Sequence, residues 1–223
     1  MDLKVLNNIS YGMYVVATKY NEKNVGCFVN TVTQLTSEKP LISVCINKNN
    51  YTNEAIKNTK RFSISILSEE SDPKVIGTFG FYSSKEINKF EGIKFEEETE
   101  LPILTEKVCG NIICEVENIV DVETHEIFIA RVIDTKLSEE PLNPMTYKFY
   151  HEVIKGKAPK TAPTYQEEKT EEKEISGNYK KYRCKICGHI YDESKENVKF
   201  EDLPENWVCP ICRVGKNLFE EIK

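Results

Sequence analysis

The sequence predicts a mainly β protein: a barrel or sandwich of short strands with few helices, followed by a small metal-knuckle unit. Three observations predict it. Residues 1 to about 155 are rich in β-branched and aromatic residues, broken by polar punctuation. Residues 156 to 178 then abandon that pattern, with two Ala-Pro steps followed by the polar run "QEEKTEEKE". Beyond them, two CxxC pairs stand within one short segment.

Each element has a local reason. "YGMYVVATKY", "VGCFVNTVTQL", "PLISVCIN" and "RFSISIL" read as strands. In the last, Phe62, Ile64 and Ile66 alternate with Ser63 and Ser65, which predicts one buried face and one polar face. "NIICEVENIVDVETHEIFIARVIDTKL" reads as two more strands around a turn at Glu123 and Thr124. Short helices are predicted from Asn53 to Thr59 and from Pro73 to Phe79. Pro73 suits a first helical turn, and Asp72 suits its cap.

The chain has 223 residues, 39% of them hydrophobic, which allows two domains and a sizeable core. The expected divisions are a barrel over 1–155, a polar linker over 156–178 and a metal domain over 179–223. A net charge of -6 with interspersed signs argues against a nucleic-acid partner. No apolar run approaches the ~18 residues of a membrane span. "MDLKVLNNISYGMYVV" also lacks a basic region followed by an apolar core, so a cytoplasmic location without membrane attachment is expected.

Of eight cysteines, four are clustered: Cys184, Cys187, Cys209 and Cys212. Cys27, Cys45, Cys109 and Cys114 are scattered through strand-like segments and read as small buried hydrophobes. The clustered four, as two knuckles, supply a closed tetrahedral thiolate site. Zinc and iron both accept that set. Tyr182, Tyr191, Phe200, Trp207 and Phe219 form a dense aromatic shell around it, and low solvent access is a lever on redox potential.

"YRCKICGHIYD" and "FEDLPENWVCPICRVGKNLF" resemble the two knuckle motifs of rubredoxins over residues 182–219. The resemblance implies one iron on Cys184, Cys187, Cys209 and Cys212, carrying one electron between ferrous and ferric states. Two departures stand out. The segment between Asp192 and Phe200 is short, and Arg213 follows the fourth cysteine where the family usually has glycine. In a left-handed backbone a non-glycine there costs roughly 1–2 kcal/mol.

The first domain has no Gly-rich phosphate loop and no Ser-His-Asp arrangement. It does have polar runs at Asn30–Thr33 and Asn47–Thr52, the second leading into a helix. A helix N-terminus beside Lys48, Asn50 and Thr52 would suit a phosphate, although turn and cap chemistry explains the same residues. "VGCFVNTVTQLTSEKPLISVCINKNNYTNEAI", "RFSISIL", "GFYSSKEINKF" and "THEIFIARV" resemble, in order and spacing, the flavin reductase-like family, whose fold is the FMN-binding split barrel.

That resemblance implies FMN, with Asn30, Thr31, Val32 and Thr33 against the isoalloxazine. It implies Asn47, Asn50 and Thr52 at the ribityl chain and phosphate, and Lys89 as a cation with Ser83 nearby. His125 would border the flavin and nicotinamide pocket as the catalytic-site candidate. "NKF" replaces the family's acidic-Lys-Phe, with Asn88 at the acidic position. Tyr147, Tyr150 and "HEVIKGKAPKTAPTY" resemble the C-terminal extension of flavoredoxin-like members. A homodimer with the site near its interface is also implied.

Over its whole length the chain resembles the high-molecular-weight rubredoxins of anaerobic bacteria. The implied activity is electron transfer from NADH or NADPH through FMN to iron, then to a flavodiiron protein that reduces oxygen or nitric oxide. Three other readings use the same residues: a flavin reductase that releases reduced flavin beside a structural metal module, a non-enzymatic electron carrier, and a zinc-ribbon adaptor on an inactive barrel. No dinucleotide fingerprint distinguishes NADH from NADPH.

Overall fold

Twelve strands and three α-helices follow one another in the computed structural model, which describes residues 3–154, 163–164, 179–196, 198–211 and 214–222, the side chains of Leu3, Lys4 and Asn7 excepted. Cys212, Arg213 and the linker apart from residues 163–164 lie outside the described residues.

The first domain contains β1 (Tyr14–Tyr20), β2 (Lys23–Val29), β3 (Val32–Gln34), β4 (Leu41–Asn47), α1 (Tyr51–Thr59), β5 (Arg61–Leu67) and α2 (Pro73–Phe81). It continues with β6 (Phe95–Glu98), β7 (Leu101–Leu104), β8 (Val108–Val122), β9 (His125–Leu137) and α3 (Tyr147–Glu152). Seven strands form one antiparallel sheet in the order β2-β1-β5-β8-β9-β4-β3. Register shifts at Ile113/Cys114 and Val116/Asn118 interrupt the long β8–β9 pair. Such bulges bend a strand and increase its twist, and the sheet curls into a half-barrel. The turn at Glu123 and Thr124 forms as expected, with Glu123 left-handed (φ 58°).

Strand alternation distributes the core. Val16, Cys27, Val44, Phe62, Ile64, Cys114 and Phe128 pack together with Ile56 of α1. Val15 and Ala17, facing the other way, pack with Leu67, Phe79, Phe90, Leu104 and Tyr150. Gly26 permits the approach of α2, because a Cβ there would stand 2.9 Å from Cε1 of Phe79.

Several expectations are corrected. "VGCFVNTVTQL" is two strands, broken at Asn30 and Thr31, where the Thr31 carbonyl accepts from Cys45 N. The first helix starts earlier, at Tyr51, because Asn50 caps it by accepting from Thr52 N. The second helix extends to Phe81, with Asp72 accepting from Lys74 N as its cap.

The polar face of β5 is not solvated: Ser63 and Ser65 are buried. An unforeseen hairpin, β6–β7, supplies their partners. Ser63 Oγ donates to the carbonyls of Pro102 and Ala17, and Ser65 Oγ accepts from Leu104 N. A buried amide stripped of its acceptor costs about 1–3 kcal/mol. Ser65→Ala is therefore expected to destabilise the barrel by about 1–3 kcal/mol in urea unfolding followed by far-UV ellipticity. Ser65→Thr, which keeps the acceptor, should recover part of that loss.

Of the scattered cysteines, Cys27 and Cys114 are buried and Cys45 and Cys109 half-buried. Burial pushes all four thiols up, Cys114 to about 12, which disfavours the reactive thiolate.

The second domain is a three-stranded sheet in the order β11-β10-β12, from β10 (Lys181–Cys184), β11 (Ile190–Asp192) and β12 (Phe219–Ile222). Glu193 closes its short loop, its carboxylate accepting from the amides of Lys180 and Phe200. No helix among the described residues is long and apolar enough to cross a membrane.

Candidate metal centre and cofactor cavity

The knuckles bring three cysteines together. The sulfurs of Cys184, Cys187 and Cys209 lie within 4.8 Å of one another, all buried. Cys187 and Cys209 are 3.6 Å apart, close to the ~3.8 Å edge of a tetrahedron with 2.3 Å metal–sulfur bonds. Both knuckles close alike: Cys184 N donates to His189 O, and Cys209 N to Val214 O. Gly188, just past the first knuckle, has a left-handed φ of 75°. Cys212 completes the set in sequence. The donor set fits one thiophilic metal ion.

The aromatic shell forms as the sequence implied. Tyr182 stacks on Phe200 with ring centroids 4.1 Å apart, and Trp207 meets Tyr191, Phe200 and Phe219 edge-on. Lys216 lies over the Phe200 ring and donates to the carbonyls of Glu201 and Leu203. Together these side chains seal one side of the thiols from water.

A cavity of about 200 Å³ opens in the first domain. Asn30, Asn47, Asn49, Asn50 and Ser83 supply polar atoms, while Phe28, Tyr51, Phe81, Tyr82, Tyr147 and Tyr150 supply aromatic walls. Among the described residues no lysine or arginine lines it. Compensation for an anion would come from the N-terminus of α1, beside Asn50 and Tyr51. Amides for ring and hydroxyl edges, aromatic faces and a helix N-terminus fit a flavin mononucleotide. The volume is below the roughly 300–1,000 Å³ typical of ligand pockets. Pro163 and Thr164 stand in the lining, Thr164 Oγ1 accepting from Asn30 Nδ2 at 2.9 Å. A whole flavin mononucleotide therefore requires those two residues to yield or the ligand to project from the cavity.

Other expected site residues lie elsewhere. Thr31, Val32 and Thr33 do not line the cavity. Thr31 Oγ1 donates to Cys45 O, and Val32 and Thr33 are held in β3 against β4. Thr52 is fully buried on α1, beneath the lining. His125 stands one strand away, paired with Asn47 across β4–β9, its Nδ1 2.8 Å from Thr124 Oγ1. Lys48 pairs with Asp121 on the surface.

Lys89 is only 1% exposed, and its ammonium donates to the carbonyls of Gly26 and Phe79 behind the wall. Burial lowers its pKa to about 8, opposed by the Cys27 thiol. Asn88, at the position where the family is acidic, accepts from Phe90 N and shapes this turn.

Phe81, Tyr82, Tyr51 and Thr164 are lining residues that the sequence did not single out. An aromatic pair at the end of an amphipathic helix was the available signal for the first two. Asn50→Ala is expected to weaken flavin binding by about 1 kcal/mol through the lost amide, measured by flavin fluorescence titration. It should also lower the stability of the barrel by about 1 kcal/mol through the lost cap.

Residues 6–153 match the flavin reductase like domain family, and residues 181–219 match rubredoxin. A high molecular weight rubredoxin of Moorella thermoacetica is 39% identical, with all of both chains aligned. A ferric-chelate reductase (NAD(P)H) of Archaeoglobus fulgidus is 38% identical over 76% of this chain and 100% of its own. Among solved structures, nitrilotriacetate monooxygenase component B from Mycobacterium thermoresistibile superposes with a TM-score of 0.56 at 26% identity, covering 61% of this chain and 74% of that one.

Proposed function

Because the chain belongs to the flavin reductase-like family and, over its whole length, to the high molecular weight rubredoxins, we propose that it is an oxidoreductase carrying electrons from NADH or NADPH to a partner redox protein. The observation that carries this reading is the presence, in one chain, of an amide- and aromatic-lined cavity and a buried thiolate cluster. FMN accepts the two electrons of a hydride and releases them singly, whereas iron on four thiolates takes one at a time.

The chain's residues provide the setting. Asn30, Asn47, Asn50 and Ser83 orient the flavin through hydrogen bonds, and the N-terminus of α1 offsets its phosphate charge. The aromatic walls exclude water. His125, paired with Asn47 across β4–β9, is the residue that the resemblance assigns to the nicotinamide side. Cys184, Cys187, Cys209 and Cys212 hold the iron, and the aromatic shell limits its solvent access. The NAD(P)H donor is supported by the name of the ferric-chelate reductase relative.

A flavodiiron protein reducing oxygen or nitric oxide is the acceptor that the resemblance to the anaerobes' fusion proteins favours, in a cytoplasmic setting. A homodimer is the assembly that the family resemblance implies, and Val120 and Val122, exposed two residues apart near the tip of the β8–β9 hairpin, are apolar side chains such a contact could cover. The domain divisions proposed are a flavin barrel to about residue 155, a linker to 178 and an iron domain beyond.

Anaerobic stopped-flow mixing with NADH, then separately with NADPH, tests the reading by following the flavin and iron absorbance bands. Both bands should bleach, the flavin first. A flavin that neither nucleotide bleaches would sink the reductase assignment. An iron band that stays oxidised while the flavin bleaches would instead favour release of reduced flavin.

A further inference from the structure

We propose that the metal module docks on the barrel of its own chain, against the outer side of the cavity wall. In this arrangement Ile211, after Cys209, is turned inward and the 184–187 knuckle faces out. The functional purpose of this docking rests on the electron-transfer reading above, but its geometry does not.

Two aromatic residues carry the inference. Phe81 and Tyr82, at the end of α2, line the cavity on one side. The same two side chains, with Ile154 beyond α3, pack against the buried core of the metal module, which includes Cys184, Cys187 and Cys209. A single layer of side chains thus borders both the cavity and the thiolate cluster. Among the described residues no other apolar barrel side chain packs against that core.

The two knuckles give the orientation. They are alike in spacing and in backbone closure, and each has isoleucine at its third position. Yet Ile186 is 38% exposed and Ile211 only 4%. Two equivalent positions differ this much when something covers one and not the other, and the Phe81–Tyr82–Ile154 surface is the cover available. Ile186, beside exposed Lys185, is left free on the far side.

The linker is tied to the same place. Thr164 bonds Asn30 and lines the cavity beside Tyr147. Only residues 165–178 separate that anchor from the module. A tether fixed at the cavity raises the module's effective concentration at the wall and needs no large interface to do so.

The full-length protein as purified, with Ile154→Glu and Ile186→Glu variants, tests the docking by hydrogen-exchange mass spectrometry. A charge at Ile154 should release the module. Exchange in residues 79–84 and 208–211 is then expected to rise together by about tenfold or more, while Ile186→Glu leaves both segments unchanged. Phe81→Lys serves as a second undocking variant should Ile154→Glu fold poorly.

The proposal is overturned if undocking variants with an intact barrel leave either segment at wild-type exchange. It is equally overturned if Ile186→Glu opens both segments. In stopped-flow mixing, Ile154→Glu should retain flavin bleaching by NADH while iron bleaching slows by about tenfold or more. If NADH does not bleach the wild-type flavin, the functional reading fails, and hydrogen exchange still decides the docking.

Discussion

Cys209→Ser is expected to dismantle the metal module while leaving the barrel folded. Cys209 is fully buried, and its sulfur is 3.6 Å from that of Cys187. Structural zinc in finger peptides contributes an apparent binding free energy of about 10–16 kcal/mol, and in so small a unit the binding free energy of any metal on these thiolates is folding free energy. Apart from the cysteines, the module's buried apolar core among the described residues is Tyr182, Tyr191, Phe200, Ile211, Val214 and Phe219, too small to replace that term.

The single tryptophan of the chain, Trp207, lies in this core and reports on it directly. The variant should lose its iron absorbance, and its Trp207 emission should shift to that of an exposed indole. The barrel's far-UV melting transition should stay in place. Flavin bleaching by NADH should persist, and electron delivery to an acceptor protein should fall to the level of metal-free protein. Retention of a protected Trp207 without metal would show that the aromatic shell folds by packing alone. Loss of the barrel transition would show that the domains do not separate.

The second large effect concerns Lys89 and pH. Its folded pKa is about 8, against 10.5 for a solvated lysine, because burial disfavours the ammonium. Between those values the unfolded chain holds the proton and the folded chain has released it. The unfolded state therefore binds more protons, and stability rises with pH through that window. The gain reaches about 3 kcal/mol once pH passes the unfolded value.

The buried thiols act with opposite sign, because their folded pKa values are raised and the unfolded chain loses those protons first. The contribution of Lys89 is isolated by comparison with Lys89→Met. Urea unfolding at pH 7.5 and 10 should show the wild type gaining about 2–3 kcal/mol on the variant. An unchanged difference would mean that Lys89 keeps an ordinary affinity for its proton inside the wall. At neutral pH its cost is offset by the bonds to Gly26 and Phe79, which join β2 to the end of α2.

The strands and the knuckles were legible in the sequence because their causes are local. Alternation fixes which way Val15 and Val16 point, and CxxC spacing alone brings two sulfurs to one metal. The hairpin β6–β7 was not legible. "FEEE" and "LPIL" carry no strong strand signal, and the need for them lies at Ser63 and Ser65, some forty residues earlier. The cavity was legible in part. Asn30, Asn47, Asn50 and Ser83 meet there, while Thr52 and Lys89 turn into the wall. Side-chain direction at a strand end or helix start depends on which neighbour packs behind it.

A mainly β barrel, a two-knuckle thiolate site and its aromatic shell can be read from the order of residues, and resemblance adds the flavin-and-iron pairing. Those features follow from periodicity, from ligand spacing and from motifs that survive without neighbours. That Phe81 and Tyr82 border two sites at once, that Ile211 is covered while Ile186 is not, and that Lys89 is a buried strut emerges from the folded chain alone. These are properties of surfaces meeting across long sequence separations. Burial is a relation between partners, and a chain read in order does not contain it.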